Sequence, residues 1–293
     1  MGADHAAVFE RHREHLFGVA YRMLGRASSA EDVVQDAFLR WREVDPDAVA
    51  SPRAYLATVV TRLCLDELKS ARARREEYVG PWLPEPLVAT RSGDPERAAE
   101  AADSLSMAFL VLLESLTPVQ RAVFLLREVF DYDYAEIAAL VGKTEAHCRK
   151  IAQRAREHVA ERRPRFDASR AEQERLVEQF IAAVEGGDLE RLEATLADDA
   201  VLYSDGGGRV VAAQRPIYRA NRIARFMLGI AGKAPEGARV RLAEVNGRPG
   251  LLATVDGRPH SAWAFHVENG RILRVFAVVN PEKLAHVAAP TDV

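Results

Sequence analysis

The sequence predicts a multidomain chain: two all-α domains followed by an α+β domain. Three observations predict it. Apolar residues recur at helical spacing over roughly the first 165 positions. A Pro-rich break at 76–95 divides those helices into two sets. Beyond Pro164 the pattern changes to short strands punctuated by Asn-Gly and Asp-Gly pairs. At 293 residues, two or three domains of about 100–150 residues are expected. The boundaries that follow are 1–76, a linker at 77–97, 98–165 and 169–293.

The elements follow in order. A first helix runs His5–Leu24 and stops at Gly25, a plausible C-cap. Ser28 and Glu31 have capping-box spacing, opening a helix over Glu31–Val44. Pro46 and Pro52 bracket a loop, and Pro52 suits the first turn of a third helix reaching Arg75. That helix is apolar early (Tyr55, Leu56, Val59, Val60, Leu63) and basic late (Arg62, Lys69, Arg72, Arg74, Arg75). After the break, helices are expected at about Pro95–Leu116, Pro118–Arg127 and Tyr134–Arg162. Two further helical patterns, 169–185 and 188–197, flank Gly186–Gly187. Strands are expected at 200–204, 209–213, 239–245, 250–255, 261–268 and 271–278, interrupted by a helix over about Pro216–Ala231. Asn246-Gly247, Asp256-Gly257 and Asn269-Gly270 join the last four strands as hairpins. Helices followed by such a meander indicate a separate α+β domain.

Composition narrows the classes. Hydrophobic residues make up 48% and charged residues 28%, which suits packed cores in a soluble protein. No apolar run approaches the roughly 18 residues that span a bilayer, and the N-terminal stretch has no signal-peptide core. A cytoplasmic location without membrane attachment is the expectation. Cys64 and Cys148 lie far apart, outside any metal-ligand spacing, and read as reduced core thiols. No nucleotide loop, zinc motif or nucleophile elbow is present, so no cofactor is expected.

Tyr134–Val159 reads as a helix-turn-helix. Ala138 is small where two helices must approach, and Gly142 supplies the turn at a helix C-cap. Cys148 and Ile151 continue a buried stripe on the second helix. Lys143, Thr144, Glu145, His147, Arg149 and Lys150 then occupy its first turns, where such helices meet base edges, and Arg154 follows. From Lys143 to Arg165, eight Lys or Arg face three Glu, a local +5 on a chain of net −3. That asymmetry suits a phosphate-facing surface. The bland alternative is a helical hairpin with a solvated charged face.

Three stretches, taken together, resemble the extracytoplasmic-function sigma factors of bacterial RNA polymerase. AEDVVQDAFLRWRE (Ala30–Glu43) is similar to the helix that docks on the polymerase clamp; Asp32, Gln35, Asp36 and Arg40 would form its polar face. SPRAYLATVVTRLCLDELKSARARR (Ser51–Arg75) is similar to the helix that holds the −10 element. Catching melted DNA needs basic residues over the backbone and aromatics for unstacked bases, which Tyr55, Arg62, Lys69, Arg72, Arg74 and Arg75 could supply. The helix-turn-helix is similar to the region that reads the −35 element.

WLPEP (Trp82–Pro86), DGGGR (Asp205–Arg209) and NPEKL (Asn280–Leu284) resemble group 41 of the family, whose members carry a fused SnoaL-like, NTF2-like cone domain. The resemblance implies a promoter-specificity subunit with core RNA polymerase and promoter DNA as partners. Trp82 and Leu83 are apolar anchors in a linker that Pro84 holds extended, and they are expected to dock near Asp205, Gly206, Gly207, Gly208, Arg209, Asn280 and Pro281, giving control in cis. For the glycines, a tight turn inside the domain is the competing reading. Cyclase-like relatives of the cone use a carboxylate or His, and Asp205, His260 and His266 are the candidates for such chemistry. Regulation is the better reading, so the chain is expected not to be an enzyme. A stand-alone DNA-binding regulator sensing a small ligand, or a fused cyclase or isomerase, are the alternatives.

Overall fold

The computed structural model describes residues 5–76, 78–89, 103–161 and 168–288, with the helical backbone alone over 71–76. The chain forms two compact units that interleave in sequence. The first is Met1–Glu77 with Leu112–Arg163, and the second is Tyr78–Val111 with Pro164–Val293.

The first unit is helical. Helices α1 (His5–Leu24), α2 (Ala27–Trp41) and α3 (Pro52–Glu76) pack around Phe9, Leu16, Val19, Tyr21, Trp41, Leu56 and Val60, all buried. The expected capping box at Ser28 does not form. Gly25, at φ 68, ends α1, and Arg26 is extended, so α2 begins at Ala27 and encloses Ser28. Arg26 is the N-cap, and its side chain makes no capping bond. Helix α4 (Met107–Leu113), whose residues up to Val111 belong to the second unit, leads into α5 (Pro118–Glu128), α6 (Tyr134–Val141) and α7 (Glu145–Ala160) of the first. The amino-terminal part of the helix expected at 95–116 lies outside the described residues.

The second unit is a seven-stranded sheet in the order β1-β4-β5-β6-β7-β2-β3. Its strands are β1 (Val88–Ala89), β2 (Leu196–Asp205), β3 (Ile217–Tyr218), β4 (Ala238–Val245), β5 (Arg248–Val255), β6 (Arg258–Glu268) and β7 (Arg271–Val278). The three dipeptide turns have positive φ at both residues, as two-residue hairpins require, and join β4 through β7 as a meander. Strand β2 returns parallel to β7.

Alternation along the strands gives two apolar faces. One packs on α8 (Arg170–Glu185), α9 (Leu189–Thr195) and α10 (Ala220–Ala231) through Phe180, Leu202, Ile223, Phe265 and Val275. The other carries Val245, Leu252, Ala264, Phe276 and Val278, and is covered by Leu83, Met107, Leu284 and Val287. The segment after Glu77 is therefore a layer of this unit, and its end, β1, is an edge strand paired with β4.

Two expectations fail between β2 and α10. Residues 209–213 are not a strand. The left-handed glycines 207 and 208 turn the chain away from the sheet, and Val211 is fully exposed. The helix expected from Pro216 starts at Ala220, because Ile217–Tyr218 instead pairs with β2 and Arg219 takes φ 78.

Candidate functional site

Helix α2 buries Val33, Val34, Ala37 and Trp41 and presents Asp32, Gln35, Asp36 and Arg40 outward. Burial of the first set orients the second, since residues three and four apart share a face. The Trp41 indole N–H donates to the His5 carbonyl at 3.1 Å, tying the helix to α1. Leu39, half-exposed, adds an apolar spot to the outward surface. Among the described residues, none of the four polar side chains makes a hydrogen bond or ion pair.

The six residues expected to meet single-stranded DNA divide. Tyr55 is half-buried with its ring 5.8 Å from Trp41, so it supports α2. Arg62 and Lys69, two turns apart on one face, are exposed. Lys69 bridges Asp66 at 2.8 Å, and Arg62 donates to the Ala139 carbonyl at 3.4 Å. The side chains of Arg72, Arg74 and Arg75 lie outside the described residues.

The helix-turn-helix is assembled by local chemistry. Asp133 and Glu136 form a capping box at the start of α6. Gly142 closes the helix at φ 66 and ψ 42. Thr144 is the N-cap of α7, accepting from the His147 N–H at 3.3 Å. Buried Cys148, Ala152, Ala155 and Val159 turn Lys143, Thr144, Glu145, His147, Arg149, Lys150 and Arg154 to the surface. Arg149 is bridged to Glu145 at 2.9 Å and lies over the Tyr134 ring at 5.1 Å. Arg162, Arg163 and Arg165 lie outside the described residues.

Inside this unit the two helical sets pack on each other through groups that the sequence reading missed. Arg121 is buried, donating to the Met23 carbonyl and to Glu114, both at 2.7 Å. The His15 ring lies 2.9 Å from the Tyr132 hydroxyl, Arg53 covers the Tyr132 ring and Arg22 covers Phe130. Burial first, then the cations Arg53, His12 and Arg22, lowers the His15 pKa from 6.5 to about 4. The imidazole is therefore neutral here, while an exposed one regains its ordinary value, so separating the helical sets takes up a proton. The contact holds fully above about pH 6.5, weakens as pH falls toward 4, and loses nothing further below both values. Wild type is expected to lose more unfolding stability than His15→Gln between pH 7.5 and 5. Equal losses would assign the titration to another group.

In the second unit, WLPEP, DGGGR and NPEKL meet at one buried clamp. Asp205 is fully buried at the end of β2. Its carboxylate accepts from the Tyr78 hydroxyl at 2.5 Å, the Leu83 N–H at 2.7 Å and Lys283 Nζ at 2.7 Å. The Lys283 ammonium also donates to the Leu83 carbonyl and lies 4.2 Å from the Trp82 ring centre and 5.0 Å from that of Tyr78. Pro84 is buried and half-buried Trp82 roofs the ammonium. Asn280 caps α11 (Pro281–Leu284) through the Glu282 N–H and donates to the Tyr78 hydroxyl at 3.0 Å. Burial, then the neighbouring carboxylate, raises the Tyr78 pKa, so it stays a donor.

Each glycine of DGGGR lies in the turn after Asp205. Gly206 accepts from the Arg209 N–H at 2.9 Å, and Gly208 faces Val79. At Gly207, with φ 57, a Cβ would lie 2.2 Å from Asn280 Nδ2. Tight turn and docking surface are thus one feature. Arg209 bridges Glu282 at 2.7 Å on the surface. Tyr78 and Lys283 were not expected here: Lys283 stood inside NPEKL, but a lone Lys reads as solvated unless its counterion is known.

The candidates for cone chemistry do not converge. Asp205 is engaged by three donors, His260 is exposed, and buried His266 has the strand parity of Ala262 and Ala264, on the face that the 83–89 segment covers. A cavity of about 310 Å³ between α8 and the β6–β7 turn is lined by Glu172, Arg175, Gln179 and Gly270, and by none of the three. Among the described residues, no helix is long and apolar enough to cross a membrane and no His, Cys, Asp and Glu group could hold a metal.

Comparison with known proteins agrees with both units. Residues 8–74 match the sigma-70 region 2 family, and residues 106–159 match sigma-70 region 4. The chain is 39% identical to the ECF RNA polymerase sigma factor SigJ of Mycobacterium tuberculosis (strain ATCC 25618 / H37Rv), covering 94% of this chain and 91% of that one. It is 32% identical to the probable ECF RNA polymerase sigma factor SigI of the same strain, covering 95% and 94%. The crystal structure of Mycobacterium tuberculosis SigJ superposes with a TM-score of 0.79 at 35% identity, over 97% of this chain and all of that one.

Proposed function

Since this chain belongs to the extracytoplasmic-function sigma factors of RNA polymerase, we propose that its α2 face binds core enzyme, that α3 and α7 engage promoter DNA, and that the clamp around Asp205 regulates those steps in cis. As a sigma factor it binds core RNA polymerase and directs promoter-specific initiation. Its work is binding and positioning, so it needs no chemistry of its own, and we place it in the cytoplasm with the polymerase.

One observation carries the regulatory reading. The segment that leaves the polymerase-binding helices is locked into the C-terminal unit by a buried ion pair and a sheet edge. A passive linker would not bury a Lys–Asp pair, because desolvating two charges is costly unless geometry and hydrogen bonds compensate. A catalytic reading of the cone is disfavoured by the same residues, since the buried carboxylate that chemistry would use is held by three donors.

The polymerase surface is tested by charge reversal. Asp32→Lys with Asp36→Lys is expected to abolish co-purification with core enzyme while changing stability by no more than about 0.5 kcal/mol per exposed site. Wild-type co-purification would refute the assignment.

For DNA, Arg149 and Lys150 are expected to differ. Arg149 is held in place by Glu145 and Tyr134, as a base-reading side chain should be. Arg149→Ala is expected to relax preference at one promoter position by about 1–3 kcal/mol. Lys150→Ala is expected to weaken all promoters alike. Competitive selection from a promoter library by reconstituted holoenzyme reads both, and unchanged selection by the two variants would sink the assignment.

A further inference from the structure

We propose that helix α10 and the turn before it form an additional DNA-contacting surface, which grips the phosphodiester backbone of the promoter duplex. This rests on the reading that the chain acts at promoters. Residues 206–235 contain no Asp or Glu and carry Arg209, Arg215, Arg219, Arg222, Arg225 and Lys233, in a chain of net −3.

The fold gathers four of these outward. Ala220, Ile223, Ala224 and Met227 of α10 are buried, so Arg222 and Arg225 take the opposite side. Arg219 caps the helix, and exposed Arg215 and Tyr218 precede it. Arg215, Arg219 and Arg222 make no side-chain hydrogen bond or ion pair among the described residues. Arg225 is aimed by a 2.9 Å bond to Asn221, which itself bonds Glu193. Arg209 belongs elsewhere, paired with Glu282. Residues three apart on a helix stand about 5–6 Å apart at Cβ, so these long arms can reach successive phosphates.

Two further features fit an extended, rigid polyanion. Arg219 adopts φ 78 and ψ 140, a region that non-glycine residues seldom occupy, while its N–H donates to the Ala200 carbonyl at 2.8 Å. A glycine would take that conformation freely, yet the position carries a guanidinium. Gly229 stands on the same outer side one turn beyond Arg225, and a Cβ there would meet nothing within 4 Å. Packing does not require that glycine, which weakens the helix, but a bare backbone lets a broad partner lie close.

The test is a salt series. Wild-type holoenzyme is first shown to select a promoter fragment, which tests the functional reading by itself. Affinity for that fragment is then measured for wild type and for Arg215→Gln/Arg222→Gln/Arg225→Gln. Each lost phosphate contact lowers the slope of log affinity against log salt by about 0.9, so the triple variant is expected to lose about 2.7 in slope and at least tenfold in affinity. The corresponding triple Lys variant keeps the charge and is expected to keep the slope, which separates contact loss from misfolding. An unchanged slope overturns the proposal. So does a loss of co-purification with core polymerase, which would make the stripe a protein-docking surface.

Discussion

Replacing Asp205 with Ala is expected to release residues 78–89 from the sheet, the largest single-residue effect in this molecule. Three donors converge on its carboxylate, and one is a lysine only 5% exposed. Removing one partner of such a pair leaves an uncompensated buried charge and costs about 3–5 kcal/mol. The Leu83 N–H and the Tyr78 hydroxyl lose their acceptor in the same step, and an unsatisfied buried donor costs about 1–3 kcal/mol. These costs overlap, because the released segment can regain water. Urea unfolding of the full chain should show a lowered midpoint for the second unit, and protease should cut at 78–89 at concentrations that spare wild type. Asp205→Asn keeps the shape without the charge and should fall between. An unaltered midpoint together with full protection of 78–89 would remove the clamp from the account.

Gly207→Ala is expected to have the next largest effect. The new methyl group would occupy the position of the Asn280 amide and lie 2.9 Å from the Tyr78 hydroxyl. The backbone at φ 57 also adds about 1–3 kcal/mol of strain for a residue with a side chain. Asn280 must move, which uncaps α11 and loosens Lys283. Trp82→Ala attacks the same clamp from the other side by unroofing the ammonium. The two changes share an interface, so their combined cost should fall short of the sum by about 0.5–3 kcal/mol. Promoter opening by reconstituted holoenzyme should change in the same direction in both single variants. Additivity within about 0.5 kcal/mol would show two independent sites.

What was legible in the sequence was mostly local. The Asn-Gly and Asp-Gly turns and the cap at Gly142 depend on neighbours within a few residues, and these form as read; the stripe of α7 holds at Cys148 but continues through Ala152 instead of Ile151, which is half-buried. Local signals also misled where a neighbour overrode them. Ser28 has capping-box spacing, but Gly25 and Arg26 start the helix earlier. Val210 and Val211 look like strand residues, but three glycines turn the chain out of the sheet first. Long-range partners were the least legible. Nothing near Lys283 in sequence identifies Asp205 as its counterion, and nothing near His15 points to Tyr132. The parallel pairing of β2 with β7 is equally silent, because period-two alternation does not name a neighbouring strand.

The clamp also sets an order of events during synthesis. Leu83 is held by Lys283, a residue 200 positions later in the chain. At about 5–20 residues per second, a ribosome takes about 10–40 s to cover that distance. The helices through residue 161 are complete well before the strands and α11 that receive residues 78–89 exist. Every new molecule therefore passes through a period in which helices α5–α7 are finished and residues 78–89 are still unanchored. Under the proposed regulation in cis, control is acquired only once Lys283 has been made, and a chain that stops before it would never come under it.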